Sequence, residues 1–375
     1  MNMGSKNNSE LISKASPHTI QKFDLVSQYV EGWAPKLLNT YPCNNLVFID
    51  CMCNSGLYYD ISNKLVFGSP IRVAKTLRKY ADDPRYEGKN IYLYFNDDDS
   101  DKINLLKQNL PPEGSNFHYI FSVSDANVFL KKLAPELDID DRTHSLLFYD
   151  PFDASIDWQA IYPFFHSWSE IIINYHLMDP SRAISQIKKQ DTKAKYENTY
   201  LLQFEKIVPY GSNKKDYENR LLEIIDLLKG NPNREYFVAS FPFFNTCNSL
   251  IFDLVHCTSN FEGFKLYKET AWKVFNGQSS SKMQSGESFQ LSLVDIGTIQ
   301  PDERCYTVNN IVDYIQGQFL GKQHVLKDDI WNFVDMHPVF PTKGYKNEIC
   351  KLLKEIYGAH ISTSYIDFSD RKRSY

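Results

Sequence analysis

The chain lacks any long apolar run. No stretch approaches the roughly 18 consecutive apolar residues of a membrane span, and residues 1–16 are polar, without the apolar core of a secretory leader. A cytoplasmic protein with no membrane association is the expectation. Zinc-type cysteine pairing is also absent. The seven cysteines are odd in number and scattered; Cys51 and Cys53 lie close together, but no second pair follows at a zinc-site interval. No metal is expected, and small buried thiols are the reading. An excess of positive charge is missing too: 41 Lys and Arg stand against 46 Asp and Glu, a formal net charge of −5. That balance argues against wholesale coating of nucleic acid and leaves room for a local basic face.

Aromatic residues, by contrast, are plentiful at 14%, which supplies apolar area for a core and flat surfaces for stacking. A length of 375 residues suggests two or three domains. The most informative stretch is Leu46-Val47-Phe48-Ile49-Asp50-Cys51-Met52-Cys53-Asn54-Ser55-Gly56. Four apolar residues stopped by an Asp and small residues read as a buried strand running into a loop. Asn54 and Gly56 are the two residues there that best tolerate positive φ. Such a loop either cradles a ligand at the carboxyl end of a parallel strand or is an ordinary exposed turn. The stretch alone leaves the two equal, because its glycine content is thin.

Along the chain, residues 1–16 are expected to be disordered. Ser16-Pro17-His18-Thr19 opens a helix with Ile20, Phe23, Val26, Val30 and Trp33 on one face. Tyr58 to Phe67 has no clear assignment. Gly68-Ser69-Pro70 starts a second helix, with Ser69 as the expected cap. Further strands are expected at Ile91–Phe95, His118–Val123, Ser145–Tyr149 and Glu170–Tyr175. Helices separate them, so the pattern predicts an α/β, Rossmann-like, doubly wound parallel sheet. Four of these strands run into an Asp: Asp50, Asp97, Asp125 and Asp150. Any one of them is a common turn residue; together they would crowd acids at one rim of the sheet.

Residues 178–232 read as a Lys-rich helical insertion, either a substrate-facing cap or a solvated face. Tyr236–Phe241 and Leu250–Cys257 read as two more strands and Gly263–Val274 as a helix. The core domain spans 17–275, and 276–305 reads as a linker. From 306 to 375, three short helices and a β element fit a winged helix-turn-helix. Lys343, Lys346, Lys351 and Lys354 are its candidate nucleic-acid contacts; a protein-binding module of the same shape is the alternative.

These landmarks, in this order, resemble the three-Cys-motif partner proteins, a bacterial family with a class I methyltransferase-like core and a winged-helix C-terminus. The residues that carry the likeness are Ser16-Pro17-His18-Thr19 with Lys22, the Asp50 loop, Gly68-Ser69-Pro70, Asp97, Ser124-Asp125-Ala126-Asn127, Asp150-Pro151-Phe152, Leu250-Ile251-Phe252, Gly263 and Ala271-Trp272-Lys273-Val274. The resemblance implies S-adenosylmethionine as cofactor. Asp50, Cys51, Asn54 and Gly56 would face its methionine part, Asp97 its ribose, and Asp125 with Ala126 its adenine. It also implies Asp150, Pro151 and Phe152 as the catalytic motif, where amino-methyltransferases carry Asp-Pro-Pro-aromatic. Two departures stand out: Asn54-Ser55-Gly56 replaces a Gly-Pro-Gly loop end, and the motif here is Asp-Pro-Phe-Asp.

The function expected on this basis is methyl transfer to a nucleic acid or a nucleic-acid-associated substrate, with DNA or RNA and a three-Cys-motif protein as candidate partners. The alternative is a non-catalytic binding protein in regulation or phage defence. A nuclease built on Asp97, Asp98, Asp99 and Asp101 ranks last, because these acids follow one strand in a row. His18, at a helix start, reads as structural.

Overall fold

A computed structural model describes residues 8–151, 156–175, 190–200, 236–244, 250–282 and 305–371. The N-terminal half runs α1 (Asn8–Leu11), β1 (Ser13–Lys14), α2 (Pro17–Leu38), β2 (Asn45–Asp50), β3 (Leu57–Tyr59), β4 (Leu65–Phe67), α3 (Ser69–Ala81), β5 (Asn90–Asp97), α4 (Ser100–Lys107), β6 (Phe117–Val123) and α5 (Ala126–Leu133). Then follow β7 (Thr143–Tyr149), α6 (Trp158–Ile161), β8 (Ser169–Tyr175), α7 (Gln190–Tyr200), β9 (Phe237–Phe244), β10 (Leu250–Thr258), α8 (Phe261–Val274) and β11 (Ser281–Lys282).

The main sheet has the order β11-β9-β10-β8-β7-β2-β5-β6. Strands β2, β5, β6, β7 and β8 are mutually parallel. Strand β10 runs antiparallel to both β8 and β9. The chain therefore enters at β2, winds outward through β5 and β6, and returns to the other side of β2 at β7. One reversed strand, β10, slotted between β8 and β9 interrupts an otherwise parallel, Rossmann-like α/β sheet. Its central strands are buried on both faces, which is why Ile171-Ile172-Ile173 of β8 reads as an unbroken apolar run. Alternate residues divide between two cores. Leu46 and Phe48 pack under α2, α3, α4 and α8, whereas Val47 and Ile49 pack under α5, α6 and Tyr196 of α7.

Four local expectations change. Residues 8–16, expected to be disordered, hold α1 and β1, because Leu11 and Ala15 have buried positions to fill. The unassigned Tyr58–Phe67 segment is a hairpin, and β1 joins it in a small sheet of order β1-β3-β4. Gly68, not Ser69, caps α3, with Pro70 at the second helical position. Within the expected linker, Ser281–Lys282 pairs with the edge of β9. Most of the 178–232 insertion lies outside the described residues; Gln190–Tyr200 within it is helical.

The C-terminal segment comprises α9 (Val308–Phe319), β12 (Val325–Leu326), α10 (Lys327–Asp335), α11 (Lys346–Tyr357), β13 (His360–Ile361) and β14 (Tyr365–Asp367). Its strands form an antiparallel sheet of order β12-β14-β13. Its core includes Ile311, Ile315, Ile330, Val334, Ile349, Leu353 and Ile366, together with Trp272 from α8.

One buried acid makes stability depend on pH. Asp253, in β10, is fully buried, with the Ser240 hydroxyl donating to it at 2.5 Å. Burial pushes its carboxyl up from 3.8 to about 7 against that hydrogen bond. A raised carboxyl pKa means stability that is present at low pH and lost as pH rises from the unfolded value toward 7. Between about pH 5 and about pH 8 the stability of Asp253→Asn, relative to wild type, is expected to gain about 3 kcal/mol. Urea titrations at the two pH values measure this, and a pH-independent difference rules it out.

Candidate active site at the carboxyl rim of the sheet

The point where the winding reverses lies between β2 and β7, and the carboxyl ends of those strands carry Asp50 and Asp150. Ligands of open α/β sheets bind at such a switch point. Asp50 is 1% exposed. Burial, then the neighbouring Asp150 carboxylate, holds its carboxyl well above the usual range, with Lys22 acting in the opposite direction. Asp97 ends β5 and is also buried. Burial raises its pKa, opposed by Lys102, whose ammonium lies 3.5 Å away.

The loop between Asp50 and Gly56 has the backbone its residues foretell. Asn54 and Gly56 adopt φ of +54° and +69°. The Asn54 amide N–H donates to Asp97 Oδ2 at 3.0 Å, so the loop after β2 is fastened to the end of β5. A Cβ at Gly56 would meet Leu106 at 2.7 Å and Ile71 at 2.9 Å; glycine is required there by packing as well as by φ. Asn96, fully buried, donates to the carbonyls of Cys51 and Ser124. It thereby ties the ends of three strands together. Cys51 and Cys53 are buried beside these acids, and burial pushes both thiols up, so neither is an activated nucleophile.

Asp125 plays a different part from the other rim acids. It is exposed and caps α5, its Oδ1 accepting from the amides of Asn127 and Val128 at 2.9 and 3.0 Å. Ala126 is the first residue of that helix. Asp99 likewise caps α4 through Asp101 N, and Asp97 Oδ1 accepts from Asp99 N. The acid run after β5 thus serves largely as turn and cap chemistry.

Asp150 is the most heavily engaged. Lys22 Nζ, from α2, donates to its two oxygens at 2.6 and 2.5 Å, and Asn174 Nδ2, from β8, donates at 2.6 Å. Pro151 follows and is buried. Phe152 lies outside the described residues. The sequence reading assigned no role to Asn174 or Tyr58. Tyr58 packs against Phe23, and burial, with Asp150 and Asp50 nearby, raises its phenol pKa. A polar residue at the end of an apolar strand was the available signal for Asn174; nothing local marked Tyr58. His18 is buried, with Nε2 2.7 Å from the Phe244 carbonyl, which is a structural role.

The lysines of the C-terminal segment lie elsewhere. Lys343, Lys346, Lys351 and Lys354 are all exposed. Lys343 reaches Glu269 at 3.3 Å, Lys346 lies over the Trp331 ring, and Lys351 is 3.9 Å from Glu355. Among the described residues, no helix is long and apolar enough to cross a membrane, and no cluster of His, Cys, Asp and Glu forms a metal site.

No known family model matches the chain, nor does any curated protein. Solved structures do resemble it at low identity. A Corynebacterium glutamicum protein aligns over 65% of this chain and 82% of its own, at 10% identity and a TM-score of 0.30. Human methyltransferase-like protein 13, in complex with SAH, aligns over 74% and 99%, at 8% identity and 0.31. Loganic acid methyltransferase with SAH aligns over 61% and 55%, at 15% identity and 0.28.

Proposed function

We propose that this chain is a methyltransferase that holds S-adenosylmethionine at the Asp50–Asp97–Asp150 rim. The observation that carries this reading is the crowding of three strand-end carboxylates near the switch point, with Asp97 fastened to the loop that follows Asp50. The acceptor set suits the cofactor: carboxylate oxygens accept hydrogen bonds, and the molecule offers ribose hydroxyls and an ammonium as donors and a sulfonium as a positive charge. Asp97 would hold the ribose, Asp50 and the loop through Cys51, Asn54 and Gly56 the methionine part, and Asp125 with Ala126 the adenine. When bound, the cofactor supplies an activated methyl group on sulfur. Asp150 with Pro151 and Phe152 would form the acceptor side, and the buried Asn96 would keep the strand ends in register. Isothermal titration with S-adenosylmethionine is expected to give one site at micromolar affinity. Absence of heat at millimolar ligand would sink the reading and leave a non-catalytic binding protein.

We further propose that residues 306–375 form a winged helix that brings nucleic acid to this site. What supports it is the order helix, strand, helix, helix, strand, strand and the exposed lysines at and before α11. A partner protein of the three-Cys-motif type is the competing occupant. Fluorescence anisotropy with duplex DNA is expected to show binding that weakens steeply with salt. Changing Lys346, Lys351 and Lys354 together to Glu should lower affinity about tenfold or more and flatten the salt slope. Binding indifferent to both changes would favour the protein partner.

A further inference from the structure

Lys22 belongs to a helix that cannot easily withdraw it. Ser16 caps α2, accepting from Thr19 N, and Phe23, Leu25 and Val26, which follow the lysine on that helix, are buried. Lys22 itself is 7% exposed. Its ammonium contacts both oxygens of Asp150 and lies 5.5 Å from the centroid of the Phe252 ring. Asn174 braces the carboxylate from the other side. A lysine so held is part of the built site rather than a surface charge folded over it.

Charge accounting shows what it does there. Asp50, Asp97 and Asp150 lie close enough for Asp50 to sense the other two. In their ionised forms and left uncompensated, carboxylates favour any ligand in proportion to its positive charge. A sulfonium carries one positive charge more than the thioether that remains after its methyl group leaves. Ground-state attraction of that charge lowers Kd without speeding transfer, because the charge leaves sulfur in the transition state. Lys102 offsets Asp97, and Lys22 offsets Asp150.

We propose that Lys22 is the fixed counter-charge of this site, a positioning residue that sets its preference between a sulfonium ligand and the neutral thioether product. The inference rests on the methyl-transfer reading above. It is tested by binding alone, with S-adenosylmethionine and S-adenosylhomocysteine titrated into the full chain at about pH 8, above the ordinary carboxylate range. Lys22→Met is expected to raise the ratio of sulfonium to thioether affinity about tenfold, as one unit charge within several ångströms does in a protein interior. Asp150→Asn should lower the ratio by a similar factor, the double variant should restore it, and Lys22→Arg should leave it unchanged. A purely structural lysine would move both ligands alike. If wild type binds neither ligand, the methyl-transfer reading and this inference fall together. If wild type binds both and the ratio stays within twofold in every variant, only the role of Lys22 is overturned. Should Lys22→Met fail to fold, the Asp150→Asn ratio still decides.

Discussion

Asp97→Ala is expected to weaken S-adenosylmethionine binding at least a hundredfold while leaving the chain folded. Asp97 uses one oxygen for the Asn54 amide and the other for the Asp99 amide. A carboxylate accepts about four hydrogen bonds, so capacity remains for two ribose hydroxyls. Hydrogen bonds to a charged group contribute about 1.5–3 kcal/mol each, and two of them amount to roughly a hundredfold or more. The Ala variant also removes the acceptor of the Asn54 N–H, loosening the loop that follows Asp50. Asp97→Asn separates the two effects, since its carbonyl can still accept from Asn54 while the charge is gone. Burial raises the Asp97 pKa, so affinity should fall on acidification at a pH above that of an ordinary aspartate. Titration calorimetry across pH tests both points. Undiminished binding by the Ala variant would place the cofactor elsewhere on the molecule.

Much of this rim was legible because its signals are local. Apolar runs stopped by Asp marked four strand ends, and Asn54 and Gly56 took the positive φ their side chains allow. The order of strands could not be read that way. That β10 is reversed between β8 and β9 depends on pairings between distant segments, and a buried run reads the same in either direction. Lys22 and Asp150 are 128 residues apart, so no window over the sequence could join them. The acid after β6 carries a second use that its sequence context also signals. One oxygen of Asp125 serves the amide groups at the start of α5, the commonest use of an Asp before a helix. Composition hides the order in residues 8–16: Leu11, with Ile12 beside it, anchors a largely polar segment, and Ser55 donates back to the Leu11 carbonyl at 3.0 Å.

Trp272→Ala is expected to destabilise the chain by about 3–5 kcal/mol and to split its unfolding into two transitions. The tryptophan sits on α8, whose other face packs in the sheet domain through Phe264 and Tyr267. Its own ring is fully buried in the C-terminal core, edge-on to Phe340 and Tyr345. Its indole N–H donates to the Val339 carbonyl at 2.9 Å. One turn earlier on the same helix, the buried Lys268 ammonium donates to the carbonyls of Asp335 and His337 at 2.5 and 2.8 Å. These two side chains join the sheet domain to carbonyl groups at the end of α10 and just beyond it. Truncating Trp272 leaves a cavity at that junction and an unpaired carbonyl, whereas Trp272→Phe keeps most of the volume and loses the hydrogen bond, for an expected cost of about 1–3 kcal/mol. The first transition of the Ala variant should be unfolding of residues 306–371, seen by hydrogen exchange as lost protection in α9 and α11 while the central strands stay protected. A single transition with less than about 1 kcal/mol lost would mean that the two cores adhere through other contacts. The C-terminal unit would then have to be regarded as held by its surface rather than by this residue.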